Sequence, residues 1–251
     1  MYEFISFNQQ ILPAKNAFLS SVSSAALYGR GIFTTVAVHD SMPFLWEKHW
    51  RRLSADAQKV GISLDDFSEQ STEKLLLETI TKNNFKAGRA RLTFYDETPS
   101  SVWQNDLKGK TNLLIQTADF RPVPEKFRLI VSPYLINSTS PLAGVKSCNY
   151  LENILALEDA KAGGFDEAVR LNEKGELVSA CCANLFWKKN EKFFTPSLET
   201  GCLKGTTREF ILENFPVEER KAILAELYKA DEIFLTSAGI GAVACIFEND
   251  D

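Results

Sequence analysis

Lys146 is the residue whose setting most clearly suits covalent chemistry. It follows an irregular stretch, residues 141–145, and precedes an amphipathic helical pattern that starts at Leu151. A lysine at such a junction, beside small and apolar residues, is partly desolvated, and desolvation lowers the pKa of an amine. That is what a Schiff-base lysine requires. A lone lysine among 28 basic residues more often points into water, so this interpretation depends on the rest of the chain.

Four further segments could bind phosphate. Gly29–Thr35 offers two glycines and two hydroxyls where a strand begins, and Arg52 lies at the margin of a helical apolar stripe. Gly205–Arg208 precedes a helix, whose free N–H groups and dipole favour an anion, and Thr236–Gly239 is a small-residue loop after a strand. Each segment also has an ordinary interpretation: a turn, a solvated arginine, a helix N-cap or a simple loop. Only their combination is informative.

The combination of a reactive lysine with phosphate-binding segments points to pyridoxal phosphate, which carries the difficult carbanion chemistry itself. The chain has no P-loop, and Gly29-x-Gly31 without a third glycine is not a dinucleotide fingerprint. Two histidines and five cysteines without a CxxC spacing give no prediction of a metal site.

Bulk composition excludes several other classes. The net charge is −5 with no long block of one sign, so we expect neither nucleic acid nor a membrane surface as a partner. We see no apolar run long enough for a membrane span and no basic, apolar N-terminal leader. The cysteines are interpreted as reduced core residues of a cytoplasmic protein.

Hydrophobic periodicity predicts two α/β or α+β domains with a cleft between them. Two prolines within residues 121–124 mark the boundary. The prediction is a smaller N-terminal domain (1–120), a linker (121–126) and a larger C-terminal domain (127–251) that carries Lys146. Strands are predicted at 2–7, 31–38, 43–46, 90–95, 112–117, 127–131, 167–171, 185–188 and 233–236. Helices are predicted at 47–59, 71–83, 151–162, 207–213 and 218–228.

The ordered segments resemble the class IV (fold-type IV) pyridoxal-phosphate enzymes over residues 28–241. Lys146-Ser147-Cys148-Asn149-Tyr150-Leu151 is similar to the family's Lys-x-x-Asn-Tyr-Leu, and His49-x-x-Arg52-Leu53 to its phosphate-binding arginine motif. Gly205-Thr206-Thr207-Arg208 resembles its phosphate loop, and Ala183-Asn184-Leu185-Phe186 the strand that passes the pyridine ring. The family comprises branched-chain and D-amino-acid aminotransferases and 4-amino-4-deoxychorismate lyases. Cys181-Cys182, Trp187 and Phe33-Thr34-Thr35 lean towards the lyases.

The resemblance implies a role for each matched position and a homodimer with the cofactor near its interface. Lys146 would be the Schiff-base lysine, with Thr34 or Thr35 assisting proton delivery. The implied cofactor-binding residues are Arg52, Lys146, Tyr150, Ser179, Ala180, Asn184, Gly205, Thr206, Thr207, Ser237 and Ala238. The implied substrate residues are Tyr28, Phe33 and Arg91, of which Arg91 would bind a substrate carboxylate.

Three positions depart from the family pattern. Ser179 stands where the family places a glutamate against the pyridine nitrogen, Arg30 replaces an aspartate, and the chain ends soon after the 236–241 loop. Without that carboxylate the cofactor is a weaker electron sink, which harms transamination more than an elimination with a leaving group. The favoured hypothesis is therefore a lyase that gives 4-aminobenzoate and pyruvate for folate synthesis. The alternatives are an aminotransferase for branched-chain or D-amino acids and a cofactor-binding homologue with weakened activity.

Overall fold

The computed structural model describes residues 2–100 and 109–248. The chain forms two compact units. One unit covers the described part of Met1–Phe120 together with Val145–Asn149, and the other covers the described part of Arg121–Gly144 and Tyr150–Asp251. The sequence places Lys146 in the second domain. In the structure its segment packs with the first unit, because Ser147 forms a β-bridge with Ile32.

The first unit is an antiparallel sheet covered by helices. Its elements are β1 (Phe4–Phe7), β2 (Gln10–Pro13), α1 (Ser24–Tyr28), β3 (Gly31–His39), β4 (Met42–Pro43), α2 (Trp46–Val60), α3 (Glu69–Lys82), β5 (Gly88–Asp96) and β6 (Thr111–Ala118). In the described residues the strand order is β2-β1-β6-β5-β3-β4. Alternate residues of β3, such as Ile32 and Val36, pack against Leu53 of α2 and Leu76 of α3 in one core. The remaining residues of β3, including Phe33 and Thr35, therefore occupy the other sheet face.

Helix α2 positions polar side chains as well as core residues. It ends at Gly61, whose φ of 70° is the left-handed conformation that glycine adopts at low cost. Its buried stripe includes His49 and Asp56 beside the apolar Trp46 and Leu53. Burial of an imidazole and a carboxylate is costly unless they find partners. Both of them contact groups of the candidate site described below.

The second unit contains a mixed sheet and two α-helices among its described residues. Its elements are β7 (Phe127–Val131), α4 (Leu151–Ala162), β8 (Glu167–Leu171), β9 (Leu177–Ala180), β10 (Asn184–Lys189), β11 (Lys192–Pro196), α5 (Thr206–Asn214), β12 (Val217–Arg220), β13 (Glu232–Ser237) and β14 (Gly241–Phe247). The strand order is β12-β11-β10-β13-β14-β7-β8-β9. The parallel pairs are β11–β12, β14–β7 and β7–β8. Phe127, Leu177, Leu185 and Trp187 belong to its largest core cluster.

Two predicted elements are wrong. The helix predicted at 218–228 is instead the strand β12 and a short 3₁₀ turn, Leu224–Glu226. The strand predicted at 43–46 is only Met42–Pro43, because Leu45 takes a positive φ of 57° and α2 begins at Trp46. The sequence also misses α1, β2, β9, β11 and β14.

Candidate active site

The segment around Lys146 is hydrogen-bonded to the start of β3. The amide of Phe33 donates to the carbonyl of Lys146 (2.9 Å), and the amide of Cys148 donates to the carbonyl of Gly31 (2.8 Å). The amide of Lys146 donates to Oδ2 of Asp56 on α2 (3.2 Å). The backbone of Lys146 is therefore held by the sheet and by a helix.

Gly29 and Gly31 are required because this segment approaches so closely. A Cβ at Gly29 would lie 2.6 Å from Oδ1 of Asn149, and Gly29 has a φ of 64°. A Cβ at Gly31 would lie 2.8 Å from Sγ of Cys148. The sequence predicts a close approach to a ligand at these glycines. In the structure, the group that approaches is the lysine segment of the same chain.

The amine of Lys146 lies on the sheet face opposite the helices. Its Nζ is 4.5 Å from the centre of the Phe33 ring, and the guanidinium carbon of Arg91 is 3.7 Å from the same centre. Arg91 on β5 is directly opposite Thr35 on β3, so the two side chains share this face. We call Phe33, Thr35, Arg91 and Lys146 the lysine face. It combines an amine, a fixed cation and a hydroxyl.

Thr34 points to the helical side and holds Arg52. Its Oγ1 accepts a hydrogen bond from Nη2 of Arg52 (2.6 Å) and is 2.6 Å from Nδ1 of His49. Because Oγ1 has one proton and two lone pairs, its contact with Nδ1 is a hydrogen bond in either tautomer of His49. Thr34 is fully buried. It fixes the guanidinium that the resemblance assigns to phosphate.

Burial shifts the pKa values of two residues in this unit, and neighbouring charges modify both shifts. The pKa of His49 lies well below its usual value, chiefly because the ring is buried and further because of the positive charges of Arg52 and Lys146. His49 is therefore neutral at pH 7. Burial raises the pKa of Asp56, and its hydrogen bond from the Lys146 amide opposes that shift.

In the second unit, three separated segments converge at the start of α5. Asn184 on β10 is paired with Thr236 on β13, and its Nδ2 donates to the carbonyl of Leu203 (2.8 Å). A Cβ on Gly205, the N-cap of α5, would lie 1.9 Å from Oδ1 of Asn184. Glycine is thus required where the chain enters the helix. We call Asn184, Gly205–Thr207 and Thr236–Ala238 the loop cluster.

The loop cluster fits a phosphate group. Helix α5 has nine residues and no side-chain cap at Gly205, so its first N–H groups and its dipole could bind an anion. Oγ1 of Thr236 is buried and has no hydrogen-bond partner among the described residues. Oγ of Ser237 accepts from the amide of Gly239 (3.2 Å), which orders the loop. Arg208 does not join this cluster, because its buried guanidinium donates to the carbonyl of Pro196 and to Glu219.

Tyr150, the N-cap of α4, has a buried hydroxyl. Its OH donates to the carbonyl of Cys181 (3.2 Å), which also accepts from Nδ2 of Asn153 (2.7 Å). Burial raises the pKa of Tyr150 far above its usual value, so the phenol stays protonated and able to donate. Glu167, fully buried nearby, has a pKa raised by burial and is paired with Arg121 (Nη1–Oε1, 3.0 Å).

Ser179 and Ala180 lie on β9, opposite Arg170 and Val169 of β8 respectively. Both are buried, at 9% and 2% exposure. Glu176, the nearest acidic residue along the chain, precedes β9, and its carboxylate accepts from Nδ2 of Asn172 (2.8 Å).

Some site residues are brought together and others are not. The structure gathers Lys146, Phe33, Thr35 and Arg91 on one face, but it turns Thr34 away to Arg52. Tyr28 ends α1 with its hydroxyl 3.4 Å from Oγ of Ser100, and its substrate role stays a prediction.

Arg30 and His49 show what the sequence leaves unresolved. Arg30 is paired with Asp96 (3.3 Å) and donates to the carbonyl of Gly61 (2.9 Å), which settles its local partners. The sequence does not predict the roles of His49 and Asp56. Their spacing around Arg52, three residues before and four after on one helix face, is the signal that could have revealed them.

The sequence profile of amino-transferase class IV matches residues 31–245, and the chain belongs to this family. Class IV enzymes use pyridoxal phosphate, so the chain is a pyridoxal-phosphate enzyme of the aminotransferase and lyase type. The predicted family and cofactor are confirmed.

Relatives of both types are similar to the chain. Aminodeoxychorismate lyase of Bacillus subtilis (strain 168) is 28% identical over 256 residues, covering 92% of this chain and 82% of the relative. The branched-chain-amino-acid aminotransferase of Escherichia coli (strain K12) is 26% identical over 257 residues, covering 93% and 81%. A crystal structure of the Escherichia coli branched-chain amino acid aminotransferase superposes with a TM-score of 0.92 at 21% identity, covering 100% of this chain and 88% of that one. This likeness confirms the predicted two-domain fold class.

Two kinds of feature are absent from the described residues. None of the helices there is both long and apolar enough to span a bilayer. Three or more potential metal-binding side chains do not cluster anywhere in that part of the chain.

Proposed function

We propose that this protein is a pyridoxal-phosphate lyase that converts 4-amino-4-deoxychorismate to 4-aminobenzoate and pyruvate. The observation that carries the proposal is the buried Ser179, which stands where the family resemblance expects a glutamate against the ring nitrogen of the cofactor. The bound cofactor supplies an electron sink for the substrate carbon. A sink without an acidic partner is weak, and elimination depends on it less than transamination does, because a leaving group takes up the electron pair.

The phosphate of the cofactor is assigned to the loop cluster. The N–H groups at the start of α5 and the hydroxyls of the cluster can donate hydrogen bonds to the phosphate oxygens. The family resemblance also assigns Arg52 to phosphate, and Thr34 holds that guanidinium. To donate to the phenolic oxygen of the cofactor, the hydroxyl of Tyr150 must turn its single proton away from the carbonyl of Cys181. These groups bind and orient, and they move no proton.

Proton transfer is assigned to the lysine face. Nζ of Lys146 accepts the proton that the amine-bearing carbon of the substrate loses. The enolate of pyruvate then departs with the electron pair of the broken carbon–oxygen bond, and the carbocycle becomes aromatic. The departing group needs a proton, which Nζ of Lys146 or the hydroxyl of Thr35 supplies. Thr35 is favoured over Thr34, whose hydroxyl is occupied by Arg52 and His49. Arg91 binds a substrate carboxylate.

An assay panel on the purified, cofactor-loaded protein tests the proposal. Incubation with aminodeoxychorismate should release pyruvate and 4-aminobenzoate, and Lys146→Ala should abolish that release. Exchange between amino acids and keto acids without pyruvate release would assign the protein to the aminotransferases instead. A protein that binds pyridoxal phosphate and is inert in both assays would be a binding homologue.

A further inference from the structure

Cys148 contacts the arginine of the lysine face. It lies two residues after Lys146, and Ser147 between them is buried and forms the β-bridge with Ile32. Because successive side chains of an extended segment point to opposite sides, Lys146 and Cys148 both lie on the side away from the buried serine. The guanidinium of Arg91 donates a hydrogen bond to the thiol of Cys148. The segment that carries the amine therefore also carries an acceptor for Arg91.

Gly31 provides the space that this thiol occupies. Gly31 is the first residue of β3 and does not take a positive φ, so its backbone does not require glycine. A Cβ at Gly31 would instead lie 2.8 Å from Sγ of Cys148, which is closer than the two atoms can approach. The glycine thus lets the sulfur rest on the sheet surface, on the same face as Phe33 and Arg91.

Two further contacts fix the side chain of Arg91. Its Nε donates to Oγ1 of Thr93 (3.3 Å), and its guanidinium carbon lies 3.7 Å from the centre of the Phe33 ring. Thr93 on β5 is directly opposite Phe33 on β3, so both contacts support the same stretch of the arginine. Arg91 is only partly buried, and a carboxylate can reach it. The cation is therefore held from the sheet and from the lysine segment.

We infer that Cys148 is a positioning residue for Arg91, and that its thiol holds the guanidinium over the Phe33 ring in the orientation that binds a substrate carboxylate. This inference rests on the proposed function, which assigns that carboxylate to Arg91. Sulfur is a weak acceptor, so it orients the guanidinium without displacing the stronger bond to a carboxylate. Docking of one segment onto β3 thus sets both the amine and the carboxylate site.

The kinetics of pyruvate release test this role. Cys148→Ala removes the acceptor and should raise KM for aminodeoxychorismate about tenfold, while kcat, Tm and the visible cofactor band stay close to those of the wild type. Cys148→Ser keeps an acceptor and should hold KM within about threefold of the wild type. In an Arg91→Ala background, Cys148→Ala should have no further effect on KM. An unchanged KM in Cys148→Ala, or an equal rise in both backgrounds, would overturn the inference.

A second measurement needs no substrate. Burial raises the pKa of the partly exposed Cys148 thiol, and the charge and hydrogen bond of Arg91 oppose that rise. In the cofactor-loaded full chain, Arg91→Leu should therefore move the pH midpoint for alkylation of Cys148 by iodoacetamide upwards, as followed by mass spectrometry of its peptide. The matched control is Arg89→Leu, because Arg89 lies on the same strand but donates to the carbonyl of Asp119 (2.9 Å). A midpoint that does not move in Arg91→Leu, or that moves equally in the control, would contradict the contact.

The outcomes separate this inference from the proposed function. A chain that exchanges amino acids and keto acids without releasing pyruvate refutes the proposed function, and the same Cys148 variants are then compared by KM for the amino donor. A chain that releases pyruvate, with a KM that Cys148→Ala does not change, refutes only the role of Cys148. In a chain that is inert in both assays, no substrate is positioned, and the role is refuted even if alkylation confirms the contact with Arg91.

Discussion

Thr34 and Thr35 are adjacent, but we expect their valine variants to differ. Thr34→Val should lose stability and cofactor affinity, whereas Thr35→Val should lose catalytic rate. Valine keeps the β-branched shape and removes only the hydroxyl. At Thr34 this removes the hydrogen bond from Arg52, worth about 1.5–3 kcal/mol for a charged donor, and the neutral one to His49, worth about 1 kcal/mol. Both former partners remain in a buried environment.

The expected loss for Thr34→Val is therefore about 2.5–4 kcal/mol of the free energy of unfolding, or roughly 5–8 °C in Tm at about 2 °C per kcal/mol for a chain of this length. The released guanidinium also binds phosphate less well, so the Kd for pyridoxal phosphate should rise about tenfold, equivalent to about 1.4 kcal/mol. Thr35→Val should change Tm and Kd little, but should lower kcat for pyruvate release.

Differential scanning calorimetry, cofactor titration by absorbance and the pyruvate assay measure these three quantities on both variants. The reasoning fails if Thr35→Val destabilises the protein and weakens cofactor binding while Thr34→Val does not. It also fails if Thr34→Val is as stable as the wild type, because two buried hydrogen bonds cannot be lost without cost.

Three further predictions concern His49, Gly205 and Lys146. His49 has a lowered pKa in the folded state, so the unfolded chain binds the extra proton and stability falls as pH drops below about 6.5, by about 1 kcal/mol at pH 5.5. His49→Asn, which can keep an acceptor near Nδ1, should remove that dependence between pH 7 and 5.5 in urea titrations; an unchanged slope would contradict the assignment. Gly205→Ala should weaken cofactor binding about tenfold or more, about 1.4 kcal/mol, because its Cβ would meet Oδ1 of Asn184, whereas Gly109→Ala, with open space around it, should be neutral. Lys146→Ala should lose the visible absorbance band of the bound cofactor and any borohydride-trapped mass, and a trapped adduct in that variant would exclude Lys146 from its role.

Elements with strong local signals could be predicted from the sequence. Helix α4 was predicted with the bounds that the structure shows, Leu151–Ala162, and α2 within one residue at each end, because apolar spacing and Gly61 mark it locally. The 218–228 segment has helix-favouring Glu, Lys and Ala, but pairing of Val217–Arg220 with β11 overrides that propensity. Strand β14 contains small residues and gains its order between β13 and β7, which no local pattern reveals.

For the same reason, only part of the candidate site could be predicted from the sequence. Motifs identified Lys146, Asn184 and the Gly205–Thr207 loop because their spacing is contained in short stretches. The different roles of Thr34 and Thr35 become clear only when β3 is placed in the sheet, because the two side chains lie on opposite faces. Arg170 and Ser179 pair beside a register shift between β8 and β9. The two residues are nine positions apart, and no local sequence pattern predicts that shift.

Residues Val145–Asn149 belong to the first unit, which has a practical consequence for making fragments of the protein. A fragment cut after residue 120 would lack the chain that satisfies the amide of Phe33 and the carbonyl of Gly31. The truncated fragment should expose unpaired backbone groups at the start of β3 and should therefore aggregate. Split-protein or fragment-complementation designs should therefore graft residues 145–149 onto the N-terminal piece, so that each half retains its own hydrogen-bond partners.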